Sequence, residues 1–199
     1  MKHILIFLGA ALLLLSFCGR KADLPAAESP ADSLFTAVCY ADEALALARQ
    51  TGAVVMEGMK CTSGRDAWDA FCAKADRGEP ASVLCVRYYT LDPERVSEEL
   101  YEEEKDQYPK LFIQRLVFDG EHYSVTSRAS TEEEPDSAET YPCLRHYTGK
   151  GPATAVFTDY EYYVLTDDPD VTWEEIEHGM FSSQSGDWIR HFTFFSNTE

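Results

Sequence analysis

The sequence predicts an α+β fold: a mostly antiparallel β-sheet of about five or six strands with two or three helices packed on it. Runs of β-branched and aromatic residues recur through the second half of the chain, and helical patterns lie toward both ends. The 199 residues contain no internal repeat and no strand–helix–strand rhythm, which would indicate a parallel sheet. A chain of this length can bury one proper core.

Three segments combine a helical apolar period with start or stop signals. The predicted helices cover residues 42–50, 63–77 and 172–182. Asp42 and Ser63 are predicted N-caps, and Gly52 is predicted to end the first helix. Thr172 has Glu175 three residues further on, which is the full pattern of a capping box.

The strands are predicted from runs rich in β-branched and aromatic residues. They cover residues 53–56, 82–90, 111–118, 122–127, 142–148, 155–165 and 188–195. Asp119-Gly120 is the pair preferred in a two-residue type I′ hairpin turn, which would pair Phe118 with Glu121. That register places Phe112 on the core face of the hairpin and turns the face that carries Arg115 toward solvent.

The amino-terminal segment predicts export and a lipid anchor. Residues 1–17 join a basic start to an apolar run that is too short to span a bilayer, which is typical of a secretory signal. Cys18 follows at the cleavage point and is the predicted lipidation residue; two acyl chains suffice for stable anchoring. Residues 18–33 are predicted to form a flexible tether, and residues 34–199 a single α+β domain.

An ordinary secretory signal is the alternative. Phe17 stands where lipoprotein signals usually have a small residue, so processing before Cys18 is open to question. Residues 24–27 (Leu-Pro-Ala-Ala) could serve an ordinary cleavage instead. Both alternatives predict an exported protein.

The charge balance excludes some classes of partner. The chain has 17 Lys and Arg residues against 35 Asp and Glu residues, for a net charge of −18. Such a charge disfavours nucleic acid and anionic lipid surfaces. The acids concentrate in residues 98–106 and 132–139, which are predicted to be solvated loops; attraction of cations or of a basic partner is the alternative.

Five cysteines follow Cys18, an odd number without a CxxC pair, so the sequence does not predict a disulfide scaffold. Cys72 and Cys85 lie within apolar patterns and are predicted core thiols. One disulfide among the remaining three stays open, and the sequence does not choose its partners. Those three residues are Cys39, Cys61 and Cys143.

Cys143 and His146 are the nearest thiol and imidazole in the sequence. Positions three apart on a strand point to opposite faces, so these side chains would meet only across a bulge. A Cys–His hydrolase needs the base within hydrogen-bond reach of the sulfur. The sequence therefore predicts a structural role for Cys143 and no catalytic residue set.

Two patterns could in principle bind a metal ion. Glu174 and His178 lie one helical turn apart, but no HExxH or CxxC pattern supplies the further ligands that zinc requires. Three acids precede the last helix, at positions 167, 168 and 170. Trp173 stands where an EF-hand loop starting at Asp168 needs glycine, so that loop is excluded. A looser calcium site stays open, and the simpler interpretation is that acids near a helix amino terminus favour its dipole. No metal site and no cofactor are predicted.

Aromatic clusters give one further candidate, a stacking platform for a glycan or a peptide. The clusters are Tyr88-Tyr89, Tyr160 with Tyr162-Tyr163, and Phe194-Phe195. In strands, half of such residues point inward, and β propensity alone accounts for their presence. A core role is therefore the alternative for each.

Several short segments of this chain occur in the same order in a known protein family. They are Ala53-Val54-Val55, the helix with Trp68 and Phe71, Gly78, the β run 83–90, the turn Phe118-Asp119-Gly120 and the strand around Cys143. In this order, over residues 42–168, the chain resembles a family of small Gram-positive (Firmicutes) lipoproteins catalogued as a domain of unknown function. The resemblance implies a lipid-anchored surface domain and no particular activity.

The sequence thus predicts a lipoprotein on the outer face of the cell membrane that acts as a non-enzymatic binding or interaction module. Its predicted partner is the membrane, which it would contact through the lipid anchor. Nucleic acid is not a predicted partner. The polar face of the sheet or the acidic loops would meet a cationic, glycan or protein partner. A thiol- or metal-dependent hydrolase of the cell envelope is the alternative function.

Overall fold

A computed structural model of the chain describes residues 30–153 and 155–199. The predicted signal segment 1–17, the predicted lipidation residue Cys18 and residues 19–29 of the predicted tether lie outside these ranges. The α-helices are α1 Pro30–Thr36, α2 Ala41–Thr51, α3 Arg65–Ala75, α4 Glu98–Glu104 and α5 Trp173–Phe181. The strands are β1 Val54–Glu57, β2 Lys60–Ser63, β3 Ala81–Tyr89, β4 Lys110–Phe118, β5 Tyr123–Ala129, β6 Glu139–Tyr141, β7 Cys143–Lys150, β8 Asp159–Thr166 and β9 His191–Thr198.

The strands form two sheets, and the predicted α+β class is confirmed. The first sheet has six strands in the order β2-β1-β3-β4-β5-β6, with β1 and β3 as its parallel pair. The second sheet, β7-β8-β9, is antiparallel and was not separated from the first by the sequence pattern. Pro142 stands between β6 and β7; because it has no N–H to continue a ladder, the chain leaves the first sheet there.

The main core lies between α3 and the two sheets and is centred on Trp68, which is fully buried. Its ring stacks on Phe71, Phe194 and Phe195, with centroids 5.0–5.6 Å apart. Tyr163 meets it edge-on at 4.9 Å. Such aromatic pairs add about 0.5–1.5 kcal/mol each beyond the area that they bury. Strand β9 therefore completes the core that α3 begins.

The opposite face of the six-stranded sheet is covered by α1 and α2, and the prediction of a solvated face is wrong for most of β4. Leu111 and Ile113 lie on the same face as Arg115 and are buried against these helices. The guanidinium of Arg115 lies 4.3 Å from the centroid of the Phe35 ring. Only toward the turn does this face open, at Val117. A central strand that is buried on both faces needs apolar residues on both.

The β4–β5 hairpin has a different register from the predicted one. Phe118 pairs with Tyr123, whereas the prediction paired it with Glu121. Gly120 has the only positive φ of the loop, at 108°, and a type I′ turn needs two such residues. The Asp119 side chain instead accepts two main-chain N–H groups of a four-residue loop. The shift equals two residues, so each side chain keeps its predicted face.

Two of the predicted helix start and stop signals are confirmed, and the predicted start of α3 is wrong. Thr172 forms the predicted capping box, and Gly52 ends α2 with φ 72°. Ser63 belongs to β2, and α3 begins after Gly64, which has no side-chain cap and a φ of 77°. A Cβ at Gly64 would lie 2.2 Å from the main-chain oxygen of Ala53, so close packing against β1 sets this helix start.

The amino-terminal part of the described chain also differs from the prediction. Helix α1 begins at Pro30, so residues 30–33, predicted as the end of the tether, are helical. Leu34 and Phe35 are buried against the sheet. Within the residues that the structure describes, no helix is long and apolar enough to cross a membrane.

Candidate ligand-binding groove

Two adjoining cavities open at one end of the six-stranded sheet, and together they are called the groove here. The outer lobe, of about 690 Å³, lies between the start of α2, residues 106–112 and residues 129–132. The inner lobe, of about 270 Å³, is the smaller and the more open of the two and lies between the end of β3, the end of α4 and Pro109. Asp42 and Tyr108 line both lobes. The groove is therefore built by the meeting of α2, α4 and three strand ends.

Five aromatic side chains line the groove. Tyr40, Tyr108 and Phe112 line the outer lobe, and Tyr88, Tyr101 and Tyr108 line the inner lobe. Tyr40 directly precedes α2, and 77% of its surface is exposed. A phenol ring brings a large rigid surface and a polar tip, which suits a binding site that is wet at one end.

Phe112 is 37% exposed, which corrects its predicted place in the core. The apolar core on that face of β4 ends at Gln114, whose side-chain oxygen accepts a hydrogen bond from Nε of Arg87 (2.9 Å). Phe112 lies beyond this polar pair and contacts Tyr89 edge-on, with centroids 6.1 Å apart. The arginine and glutamine pair thus separates the core from the groove.

Asp42 was predicted to cap α2, but α2 begins one residue earlier and has no side-chain cap. The hydroxyl of Tyr88 donates instead to Oδ1 of Asp42 at 2.7 Å. This hydrogen bond, assisted by burial, raises the pKa of Tyr88 to about 12. The phenol therefore keeps its proton at neutral pH, and the carboxylate of Asp42 is oriented toward both lobes.

Two lysines reach the groove. The Nζ atom of Lys110 lies 4.7 Å from the centroid of the Tyr108 ring and donates to the side chain of Gln107 at 3.2 Å. Lys105 lines the inner lobe and donates to the carboxylate of Glu102 on α4. Each lysine charge is thus already in contact with a ring or an acid.

The first acidic cluster is a helix rather than the predicted loop. Residues 98–104 form α4, in which Ser97 caps the amino terminus by accepting from Leu100 N at 3.3 Å. No residue of α4 is buried, so its acids face solvent beside the inner lobe. The second cluster, at residues 132–138, is exposed and forms neither helix nor strand before β6.

The predicted thiol–imidazole neighbours do not bind one another. Nε2 of His146 hydrogen-bonds to Oε1 of Glu161 at 3.0 Å, and its ring stacks on Tyr163 at 4.1 Å. Burial raises the pKa of the Cys143 thiol. None of the described histidines hydrogen-bonds to Cys143, so the arrangement that a Cys–His hydrolase needs is not formed there.

A different cysteine shares a cavity with His146. Cys72, on α3, lines a space of about 290 Å³ with His146, Tyr123 and Tyr163. Burial, followed by the charge of Asp76, raises the pKa of Cys72 to about 12. The thiolate is the nucleophilic form, so Cys72 is an inert thiol at neutral pH.

The metal candidates do not form a ligand set among the described residues, although Glu174, His178 and Asp187 line one shallow cavity. Glu174 and His178 are exposed on α5, and Nε2 of His178 lies 3.8 Å from Oδ2 of Asp187. Asp167 is paired with Arg190 at 2.8 Å. Across residues 30–153 and 155–199, no three His, Cys, Asp or Glu side chains are placed to hold a metal ion.

Of the predicted aromatic platform, Tyr88 alone reaches the groove. Phe194 and Phe195 are in the core, and Tyr162 is buried beneath Trp173. Sequence reasoning missed the three groove residues Tyr40, Tyr101 and Tyr108. Tyr101 and Tyr108 stand in a polar segment, where neither β propensity nor a core period accounts for an aromatic residue, whereas Tyr40 lies just before the predicted helix 42–50.

The cysteines from residue 39 onward are free thiols. Cys39 lies between α1 and α2, Cys61 on β2 and Cys143 on β7, so the three candidates for a disulfide lie on separate parts of the fold. Cys85 is buried in the main core, as predicted.

No protein-family model, no curated protein and no solved structure matches this chain. The groove and the fold that builds it are therefore the observations that bear on function.

Proposed function

We propose that this chain is an extracytoplasmic, lipid-anchored binding module that recognises a component of the cell envelope in its groove. The observation that carries the proposal is the pair of adjoining cavities with five aromatic side chains in their lining. Residues 1–17 and Cys18 support the location, as does the resemblance to small Gram-positive lipoproteins.

The composition of the groove suits binding. Ligand sites are concave, mostly apolar or aromatic, and carry a few placed polar groups. Tyrosine rings offer a large contact area and lose little conformational entropy, because they have only two rotatable side-chain bonds. Asp42, Gln107 and Lys110 supply an acceptor, an amide and a donor around those rings. The strands beneath them belong to a sheet that is buried on both faces.

A hydrolase is less well supported. The described residues that line the groove include no histidine and no cysteine. Outside the groove, Cys72 and Cys143 both have a raised pKa, and His146 is held by Glu161. A nucleophile needs a lowered pKa or an adjacent base, so binding is the function that this geometry supports best.

Co-sedimentation tests the proposal. The mature lipoprotein in a mild non-ionic detergent is mixed with purified cell-wall sacculi of a Gram-positive bacterium and centrifuged. We expect the wild-type chain to sediment and the double variant Tyr40→Ala/Tyr108→Ala to bind at least about tenfold more weakly, because aromatic anchors dominate such contacts.

The matched control is Phe181→Ala/Trp188→Ala. These two side chains are 82% and 58% exposed and lie outside the groove, so their removal should leave sedimentation unchanged. Equal binding by both double variants, or no sedimentation of the wild-type chain, would overturn the proposal. Circular dichroism establishes that each variant is folded.

A further inference from the structure

We infer that the inner lobe of the groove binds a quaternary ammonium group, with Tyr88, Tyr101 and Tyr108 around the cation and Asp42 as its counter-charge. This inference rests on the proposed function, in which the groove is a binding site, and adds the chemical class of the ligand. The chemistry is that of a trimethylammonium head, whether on a free solute or on a larger envelope molecule.

The arrangement of rings is the first support. The three phenols come from separate elements: Tyr88 from β3, Tyr101 from α4, and Tyr108 from the segment that leads into β4. Their convergence on one cavity follows from the fold and not from sequence proximity. Aromatic rings attract a cation through their negative faces, and quaternary ammonium ions are the ligands for which such cages are best suited.

One of these rings already takes part in a cation–π contact. The Nζ atom of Lys110, a residue that lines the outer lobe and not the inner one, lies 4.7 Å from the centroid of Tyr108. Asp42 supplies the counter-charge in the inner lobe, where the hydroxyl of Tyr88 fixes its Oδ1 atom at 2.7 Å. The inner lobe thus joins aromatic faces to one placed carboxylate.

Charge selects a cation over an anion. Lys105 also lines the inner lobe, but its ammonium is bound to Glu102. The exposed helix α4 brings five glutamates beside this lobe, and the whole chain carries a net charge of −18. A field of this sign raises the local concentration of cations and repels anionic ligands.

Size limits the ligand to a small head group. The inner lobe, at about 270 Å³, lies just below the usual range of volumes for ligand sites, and the outer lobe offers about 690 Å³. A trimethylammonium head can occupy the inner lobe while the remainder of its carrier lies in the outer lobe. The methyl groups also lower the desolvation penalty that a primary ammonium would meet between the rings.

Calorimetric titration of the detergent-solubilised mature lipoprotein with choline chloride tests the inference. The comparison ligand is the neutral carbon isostere of choline, in which a tert-butyl group replaces the trimethylammonium. We expect saturable binding of choline and about tenfold or weaker binding of the isostere, because the two share shape but not charge. Equal affinity for both would overturn the inference.

Variants of Tyr101 give the sharpest residue-level test. Because α4 contains no buried residue, a change at Tyr101 leaves the core intact. We expect Tyr101→Ala to weaken choline binding about tenfold and Tyr101→Phe to retain most of it, since the ring and not the hydroxyl contacts the cation. Trp188→Ala, which removes an exposed ring elsewhere, should bind as the wild type does. Loss of binding in Tyr101→Phe as severe as in Tyr101→Ala would contradict a cage of rings.

The two proposals can fail separately. If wild-type sedimentation with sacculi depends on Tyr40 and Tyr108 but choline does not bind, the ammonium assignment is wrong and the groove keeps its role. If choline binds, two competition experiments identify which kind of natural molecule carries the ammonium group. Displacement of choline by phosphatidylcholine vesicles points to a lipid head group, and displacement by sacculi points to a wall polymer. Displacement by neither points to a free solute.

Discussion

The guanidinium of Arg128, on β5, donates a hydrogen bond from Nε to the main-chain oxygen of Phe35 at 2.5 Å, at the end of α1. Its terminal nitrogens donate to the main-chain oxygens of Ala37 and Glu132. Arg128 is 1% exposed, and burial lowers its pKa. The last carbonyls of a helix lack partners within the helix, and here one buried arginine supplies them.

The first prediction concerns this arginine. Arg128→Met should lower the free energy of unfolding by about 2–4 kcal/mol, because several buried carbonyl oxygens lose their donor. Urea denaturation followed by circular dichroism measures the change. Hydrogen exchange of residues 34–37 should quicken as α1 separates from the sheet. Arg95→Met is the control: Arg95 is an exposed arginine whose loss should change stability by no more than about 0.5 kcal/mol. A similar, small effect of both substitutions would show that Arg128 does not hold α1.

A glycine series separates backbone strain from steric overlap. Gly78→Ala forces alanine to a φ of 70° in open space and should cost about 1 kcal/mol. Gly64→Ala adds a Cβ 2.2 Å from the oxygen of Ala53 to the same strain, for a total of about 2–4 kcal/mol. Gly186→Ala meets no atom within 4 Å and should be neutral. Thermal or urea unfolding should show the largest loss of stability for Gly64→Ala, a smaller loss for Gly78→Ala and none for Gly186→Ala. An equal cost at positions 64 and 78 would exclude the close packing of α3 on β1.

The third prediction concerns acid pH. The carboxylate of Glu161 accepts two hydrogen bonds from Arg65, at 2.6 and 3.0 Å, and one contact from His146. Burial raises the pKa of Glu161, but Arg65 and His146 more than offset burial, so the net pKa is lowered. A carboxyl whose folded pKa is lowered stabilises the protein above its unfolded pKa, near 4.3, and loses this effect as the pH falls through the folded value.

Glu161→Gln should therefore cost about 1–3 kcal/mol at neutral pH, and its difference from the wild type should shrink as the pH falls below about 4. Urea unfolding across that pH range measures both effects. Glu79→Gln is the matched control, because Glu79 forms an exposed pair with Arg77, which contributes little to stability. A difference that stays constant with pH would mean that the charge of Glu161 does not matter.

The fourth prediction concerns the groove. Asp42→Asn removes the charged acceptor of the Tyr88 hydroxyl and should move the pKa of Tyr88 from about 12 toward its ordinary value near 10. Because the folded pKa is raised, this hydrogen bond stabilises the protein fully below about pH 10 and is lost as the pH rises through about 12. Tyrosinate absorbance measures the titration, with Tyr88→Phe identifying the contribution of Tyr88. An unchanged titration in Asp42→Asn would contradict the role given to Asp42.

The fifth prediction tests the anchor. Cys18→Ala should leave the chain without acyl groups, either released from the membrane or retained as an unprocessed precursor, because the Cys18 thiol is the proposed site of lipid modification. Growth with a labelled fatty acid, followed by purification of the chain, measures acylation. Label that persists on the Ala variant would place the anchor elsewhere.

The sequence was most informative where the signal is local. The capping box of Thr172 and the stop at Gly52 depend on a few neighbouring residues, and both are confirmed. The predicted start of α3 was wrong, because the close approach of the Ala53 main chain requires glycine at position 64. The prediction of a solvated face on β4 was wrong for the same kind of reason, because that face is covered by α1, which begins within the segment predicted as a tether.

The groove could not be predicted for a related reason. Asp42 and Tyr88 are 46 positions apart in the sequence, and their hydrogen bond depends on how α2 lies across the end of β3. Tyr101 and Tyr108 belong to a segment that the sequence presents mainly as acidic. An aromatic residue in a polar segment is a usable sign of a surface site, but only the fold shows which such residues meet.

The stacking of Phe194 and Phe195 on Trp68 bears on how the molecule is made. Helix α3 can form early in folding, but the hydrophobic surface around its tryptophan stays uncovered until these two phenylalanines, near the other end of the chain, pack against it. Contacts between residues so distant in sequence are slow to form. A chain that lacks β9 therefore leaves the hydrophobic surface around Trp68 exposed to the chaperones and proteases that recognise such surfaces.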